Sequence, residues 1–245
     1  MSETTPTVVL VHGAFADASS WNGVITRLQA KGVPVTAPAN PLRGISADSD
    51  YTAAVFEQID GPVLAVGHSY GGAVITNAAA QAKNVVGLVF VAAFAPDEGE
   101  ALGDAEATSK DSVLNSALVP LHYPTGNGET GTEFAIDPDK FRDAFAADLP
   151  AYVTAVMAAT QRPVADVAFS EPTESAAWKR LPSWCVVATG DKAAGADVIR
   201  SMGERAGATI TEVEGSHVIM VSQPQAVTDV ILEAVAAVGR VAVGA

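Results

Sequence analysis

Short runs of apolar, mostly β-branched residues alternate along the chain with longer segments whose apolar positions recur every three or four residues. The run "TVVLVHG" (7–13) predicts a strand buried on both faces. After the loop "AFADASS", Trp21, Val24, Ile25 and Leu28 recur at helical spacing, with Ser20 placed to cap the start and Gly32 to end the helix. "VPVTAP" (33–38) reads as the next strand and "NPLRG" as a turn-rich loop; Tyr51, Val55 and Ile59 mark one face of a second helix. "PVLAVGH" (62–68) is a third buried strand, "AVITNAAAQA" (73–82) a helix and "VVGLVFVAAF" (85–94) a fourth strand. Such alternation requires an α/β fold, a mostly parallel, doubly wound sheet covered on both sides.

From about Pro96 the pattern changes. Residues 98–177 hold no convincing buried strand run but several helical stretches, "DPDKFRDAFAADL" and "PAYVTAVMAAT" among them. Alternation resumes with "SWCVVATGD", a helix around 196–206, a strand at "ATITEVEG" and a closing helix. In that helix Pro224 lies near the start and Val227, Val230, Ile231, Ala234, Val235 and Val238 line one face. The expected organisation is a core of 1–97 and 178–245 interrupted by a helical cap, 98–177, too long for a connecting loop.

Composition narrows the function classes. Of 245 residues, 49% are hydrophobic and 17% charged, which excludes a disordered chain. The formal net charge of −14 repels phosphate backbones and anionic lipid heads, so neither nucleic acid nor a membrane is an expected partner. Cys185, alone in "WCVVAT", permits no intramolecular disulfide and reads as a core residue. No Cys/His cluster has zinc spacing, and no metal is expected. "MSETTPT" lacks the basic-then-apolar order of a signal peptide, so the expected location is cytoplasmic. The uncharged stretch 61–82 is broken by a polar, glycine-rich turn and by Asn77, which argues against a membrane span.

That turn is where chemistry enters. Gly67-His68-Ser69-Tyr70-Gly71 fits G-x-S-x-G, a nucleophile elbow whose strained geometry pushes a serine oxygen into a cleft. Open α/β sheets bind ligands beyond the carboxyl ends of their strands. The groups expected at those ends are His12, Gly13 and Ala14, then Ser69, then Asp97 and Glu98, then Asp191, and finally His217. A serine needs an adjacent base. His12 and His68 read as structural, and His122 in "PLHYP" has no orienting motif. His217, on a short glycine-serine loop past the last strand, suits a base. Asp191 in "ATGDK" falls between Ser69 and His217 in chain order; Asp97 in "APDEGE" is the competing carboxylate. The N–H groups of Tyr70 and Ala14 are the expected oxyanion hole, ahead of Phe15.

The motifs "LVHGAFADASSW", "PVLAVGHSYGGAV", "VFVAAFAPDEGE", "ATGDK" and "GSHVIMVSQPQAV" span the whole chain. With them the sequence resembles the α/β-hydrolase superfamily, in its small esterase and hydroxynitrile-lyase-like branch. The resemblance implies an eight-strand-type core, a helical cap, no cofactor, and the triad Ser69–Asp191–His217. Plant hydroxynitrile lyases carry a threonine where this chain has Gly13 and a lysine where it has Val218, so ester hydrolysis is the better inference. The expected partner is a small-molecule ester with small to medium, largely apolar groups. Phe134, Phe141, Phe145, Tyr152, Met157, Phe169 and Trp178 are candidates for its pocket. The alternatives are a cofactor-free haloperoxidase or perhydrolase using the same triad, and a slow-turnover ligand receptor on this scaffold. Homo-oligomerisation stays open.

Overall fold

The computed structural model describes residues 5–126 and 128–241; the outermost residues of the expected core, 1–4 and 242–245, lie outside it. In chain order the strands are β1 (Thr7–Val11), β2 (Val35–Thr36), β3 (Val63–His68), β4 (Val85–Val91), β5 (Leu118–Gly126), β6 (Glu129–Ile136), β7 (Val164–Ala165), β8 (Ser183–Ala188) and β9 (Thr209–Val213). The α-helices are α1 (Asn22–Ala30), α2 (Ile45–Glu57), α3 (Tyr70–Gln81), α4 (Leu102–Glu106), α5 (Pro138–Phe145), α6 (Ala151–Thr160), α7 (Val167–Ser170), α8 (Ala196–Arg205), α9 (Ile219–Ser222) and α10 (Pro224–Val241).

Six parallel strands form the main sheet in the order β2-β1-β3-β4-β8-β9, against the eight-strand-type core that the resemblance implies. Every residue of β3 and β8 is buried, as their unbroken apolar runs require when helices cover both faces. One pair of helices, α1 and α10, packs together, and so does the pair α2 and α3. Strand order reverses beside β1 and β3, so the crevice of this sheet opens at their carboxyl ends.

Several local expectations shift. Ser20 does not cap α1: Asp17 caps a preceding 3-10 turn through the Ser19 N–H, and Ser20 Oγ donates to the Asp17 carbonyl. The strand expected over 33–38 shrinks to the two residues of β2. The buried residues of α2 are Ile45, Asp48, Ser49, Thr52, Ala53 and Phe56, while Tyr51 is exposed. Polar residues share that face with apolar ones where α2 packs on α3, and there Ser49 Oγ donates to the Val74 carbonyl.

The segment expected to be a helical cap carries helices and also a second, three-stranded antiparallel sheet, β5-β6-β7. Its edge strand β5 holds Pro120 and Pro124 and is largely exposed, so neither a continuous apolar run nor a clean alternation marks it. The segment is tied to the core by the Ala165 N–H on the Leu42 carbonyl and by the Arg43–Glu133 ion pair at 2.8 Å. Among the described residues, no helix is long and apolar enough to cross a membrane.

Candidate functional site

Strand β3 ends at His68, α3 begins at Tyr70, and Ser69 alone makes the turn with φ 52° and ψ −123°. A non-glycine residue held there stores on the order of 1–3 kcal/mol of strain. Two close approaches make the turn possible. A Cβ on Gly67 would lie 2.5 Å from the Gly71 carbonyl oxygen, and one on Gly71 would lie 2.5 Å from that of Val11. The Ser69 carbonyl accepts from the N–H groups of Gly72 (2.9 Å) and Phe94 (3.2 Å), which locks the elbow.

Asp191 follows β8 and His217 follows β9, and both are almost fully buried. The structure brings them together: His217 Nδ1 and Asp191 Oδ2 are 2.7 Å apart. A carboxylate can only accept, so Nδ1 carries the proton and Nε2 keeps its lone pair. The other carboxylate oxygen, Oδ1, accepts from the N–H groups of Ala193 (2.8 Å) and Ala194 (3.0 Å) and fixes the loop. Asp97, the competing carboxylate, lies instead at the entry to the inserted segment. There its pairing with Lys179 holds the carboxyl below its ordinary range.

The loop of His217 is gripped from two directions. From the elbow, His68 Nε2 donates to the His217 carbonyl at 3.0 Å, and the two imidazole rings lie 4.7 Å apart. From the inserted segment, Asp148 accepts from the Ser216 N–H at 3.0 Å and from its hydroxyl, and the Phe145 ring lies 5.0 Å from that of His217. Asp48 plays a comparable part beneath the elbow, accepting from the Tyr70 hydroxyl at 2.8 Å. Burial raises the Asp48 carboxyl and, together with the Asp48 charge, pushes the Tyr70 phenol well above its usual value. Neither Asp48 nor Asp148 belongs to a motif. Their partners are remote in sequence, and nothing in the chain alone marks them.

His12 and His68, read as structural from the sequence, are both buried and hydrogen-bonded. His12 Nε2 accepts from the Asn40 N–H at 2.9 Å, and Nδ1 donates to the Gly13 carbonyl at 2.9 Å. Burial lowers its pKa to about 4, and burial with the adjacent His217 drives that of His68 well below the usual value. His122 is exposed on β5, away from the site, and burial pushes the Cys185 thiol on β8 up to about 12. An unfolded histidine titrates near pH 6.5. Below that pH the unfolded chain takes up protons that these two buried rings refuse, so the stability tied to them is complete above about 6.5 and falls as the pH drops below it, for His12 down to about 4. The loss for His12 alone is ~3 kcal/mol, with a smaller opposing change from Asp48. Urea midpoints are expected to fall steeply between pH 6.5 and 4.5; a flat profile contradicts this account.

The amide geometry separates the candidate oxyanion donors. The Phe15 N–H is used on the Arg162 carbonyl at 3.1 Å, whereas no backbone hydrogen bond among the described residues takes the Ala14 N–H. Tyr70 opens α3, so its N–H has no acceptor one turn earlier in the helix. Ala14, Tyr70, Ser69 and His217 all line one cavity of about 320 Å³. Its walls are largely apolar, with Phe94, Leu102, Leu114, Phe134, Phe145 and Phe169 among them. Of the other aromatic and apolar candidates, Phe141 is core, Tyr152 is exposed, Met157 borders a separate groove, and Trp178 donates to the Pro96 carbonyl. Among the described residues, no three His, Cys, Asp or Glu side chains gather where they could hold a metal ion.

A family model described as "Alpha/beta hydrolase family" matches residues 8–230. Among solved structures the chain is similar to a pyrethroid hydrolase from Sphingobium faniae JZ-2, at 20% identity and TM-score 0.75, over 96% of this chain and 98% of that one. It is similar to polyneuridine aldehyde esterase at 21% identity and TM-score 0.77, over 94% and 99% of the two chains. A methylesterase from Arabidopsis aligns at 18% identity and TM-score 0.76, over 94% and 99%. No curated protein sequence matches.

Proposed function

The chain belongs to the alpha/beta hydrolase family, and from that premise we propose that it hydrolyses carboxylic esters through Ser69, His217 and Asp191. The observation that carries the reading is the buried 2.7 Å pair of Asp191 and His217, whose imidazole lines the same cavity as the strained Ser69. Ser69 Oγ attacks the ester carbonyl while His217 Nε2 takes its proton, and Asp191 stabilises the resulting imidazolium. The tetrahedral oxyanion is held by the N–H groups of Ala14 and Tyr70. His217 then protonates the departing alcohol, and the acyl group stays on Ser69. A water, deprotonated by His217, attacks the acyl-enzyme; the acid leaves and the Ser69 hydroxyl is restored.

The cavity lies at the small end of the roughly 300–1,000 Å³ typical of small-molecule sites, which favours small to medium, apolar esters. Hydroxynitrile-lyase chemistry is disfavoured by packing as well as by residue type. A Cβ on Gly13 would lie 2.7 Å from Ser69 Cβ and 2.8 Å from the His68 carbonyl oxygen, so a threonine there has no room. An organophosphonate is expected to add one label per chain, recovered on the peptide containing Ser69, with loss of p-nitrophenyl butyrate turnover. Label on another residue, or turnover that survives full labelling, overturns the proposal.

A further inference from the structure

Two polar side chains that this mechanism does not use also line the cavity: Glu106, which ends α4, and Asn115. Glu106 is 8% exposed. Asn115 Nδ2 donates to one of its oxygens at 2.6 Å, and the Ser112 hydroxyl contacts the other, its single proton shared between that oxygen and the Ala193 carbonyl at 2.8 Å. Among the described residues, no Lys, Arg or His side chain lies within ion-pair distance of it. Glu133, buried to a similar degree, has Arg43 at 2.8 Å. A buried carboxylate without a counter-charge in an apolar wall is destabilising, and two neutral donors leave about half of its lone-pair sites open. Glu106 and Asn115 also border a shallow surface depression that Ser109 and Ser112 share, so they stand where the cavity meets the exterior.

We infer that Glu106, seated beside Asn115, accepts a hydrogen bond from a hydroxyl or ammonium group carried by the substrate and thereby sets the specificity of this site. The inference rests on the esterase reading and narrows it to esters that place an apolar body in the cavity and a donor group at its mouth. A carboxylate offers acceptors only, so an ester bearing a second negative charge meets repulsion there. The net charge of −14 adds to that repulsion. The carboxylic acid product, once ionised, meets the same repulsion, which favours its departure.

Matched esters ending in a methyl, hydroxymethyl, aminomethyl or carboxylate group test this. The group is placed on the alcohol side in para-substituted phenyl acetates, and on the acyl side in methyl esters of para-substituted phenylpropanoic acids. In one of the two series, the hydroxymethyl and aminomethyl esters are expected to exceed the methyl ester in kcat/KM by about tenfold, and the carboxylate to fall below it by at least as much. Glu106→Gln is expected to bring the aminomethyl-to-carboxylate ratio down by about 10²-fold, whatever it does to the rate common to all four. Equal rates for the four esters in both series, or an equal loss on all four in Glu106→Gln, overturns the inference. Calorimetric binding of the same esters to Ser69→Ala reads the preference without turnover. An intact order of binding with no wild-type hydrolysis sinks the esterase reading alone; binding indifferent to the terminal group sinks this one.

Discussion

Ser69→Ala is expected to lower p-nitrophenyl ester turnover by at least about 10⁴-fold while leaving the protein folded. Both halves follow from the geometry. Alanine keeps the Cβ, so the backbone at φ 52° is no more strained than before, and the bonds that lock the elbow run through the main chain. What disappears is the one oxygen that, on the proposed mechanism, forms the acyl-enzyme. The amides of Ala14 and Tyr70, the proposed oxyanion donors, remain and are expected to support only a slow attack by water. Thermal unfolding within a few degrees of wild type, together with the rate loss, separates lost chemistry from lost structure. A variant that retains a tenth of the wild-type rate would place the nucleophile elsewhere.

Asp191→Asn has an expected cost of about 10⁴-fold in kcat, through a proton in the wrong place. In the wild type, Asp191 Oδ2 accepts from His217 Nδ1, and Oδ1 accepts from the N–H groups of Ala193 and Ala194. An asparagine keeps its single oxygen on the two backbone amides, which need an acceptor, and so turns its NH₂ toward His217. Nδ1 must then become the acceptor, and the ring proton moves to Nε2, where it cannot take a proton from serine. The loop stays in place and KM changes little, so the kcat-against-KM split is the diagnostic measurement. A loss in KM alone would mean that Asp191 shapes the pocket and does not set the tautomer.

These two residues also show how far the chain can be read without coordinates. Asp191 was marked by β8, because a strand buried on both faces must be a continuous apolar run and the polar residue that follows it is at the sheet's reactive edge. His217 follows β9, an edge strand with no buried residue, and was marked instead by its glycine-serine loop and its place after Asp191 in the chain. The elbow was marked by Gly67 and Gly71, where any side chain would overlap a neighbouring backbone. The hairpin of β5 and β6 left no such mark. Its edge strand is largely exposed and carries two prolines, so it obeys neither the buried-strand nor the alternating pattern. On α2 the apolar spacing favoured Tyr51, Val55 and Ile59, yet Tyr51 is exposed, Ile59 lies past the helix end, and the buried residues include the polar Asp48, Ser49 and Thr52 beside Ile45, Ala53 and Phe56.

Local sequence thus determined the order of strands and helices, the turn at Ser69, and the set of polar groups delivered to one edge of the sheet. Each of these depends on burial, spacing or steric exclusion within a few residues. Tertiary structure decided which of those groups meet: His217 with Asp191 and not Asp97, the His68 imidazole with the His217 carbonyl, Asp48 with Tyr70, and Asp148 with Ser216. It also decided that Glu106 lies in a cavity wall with no cation at ion-pair distance among the described residues. A hydrogen bond or ion pair between residues far apart in sequence depends on distances set by the packing of whole elements, and no local pattern encodes those distances.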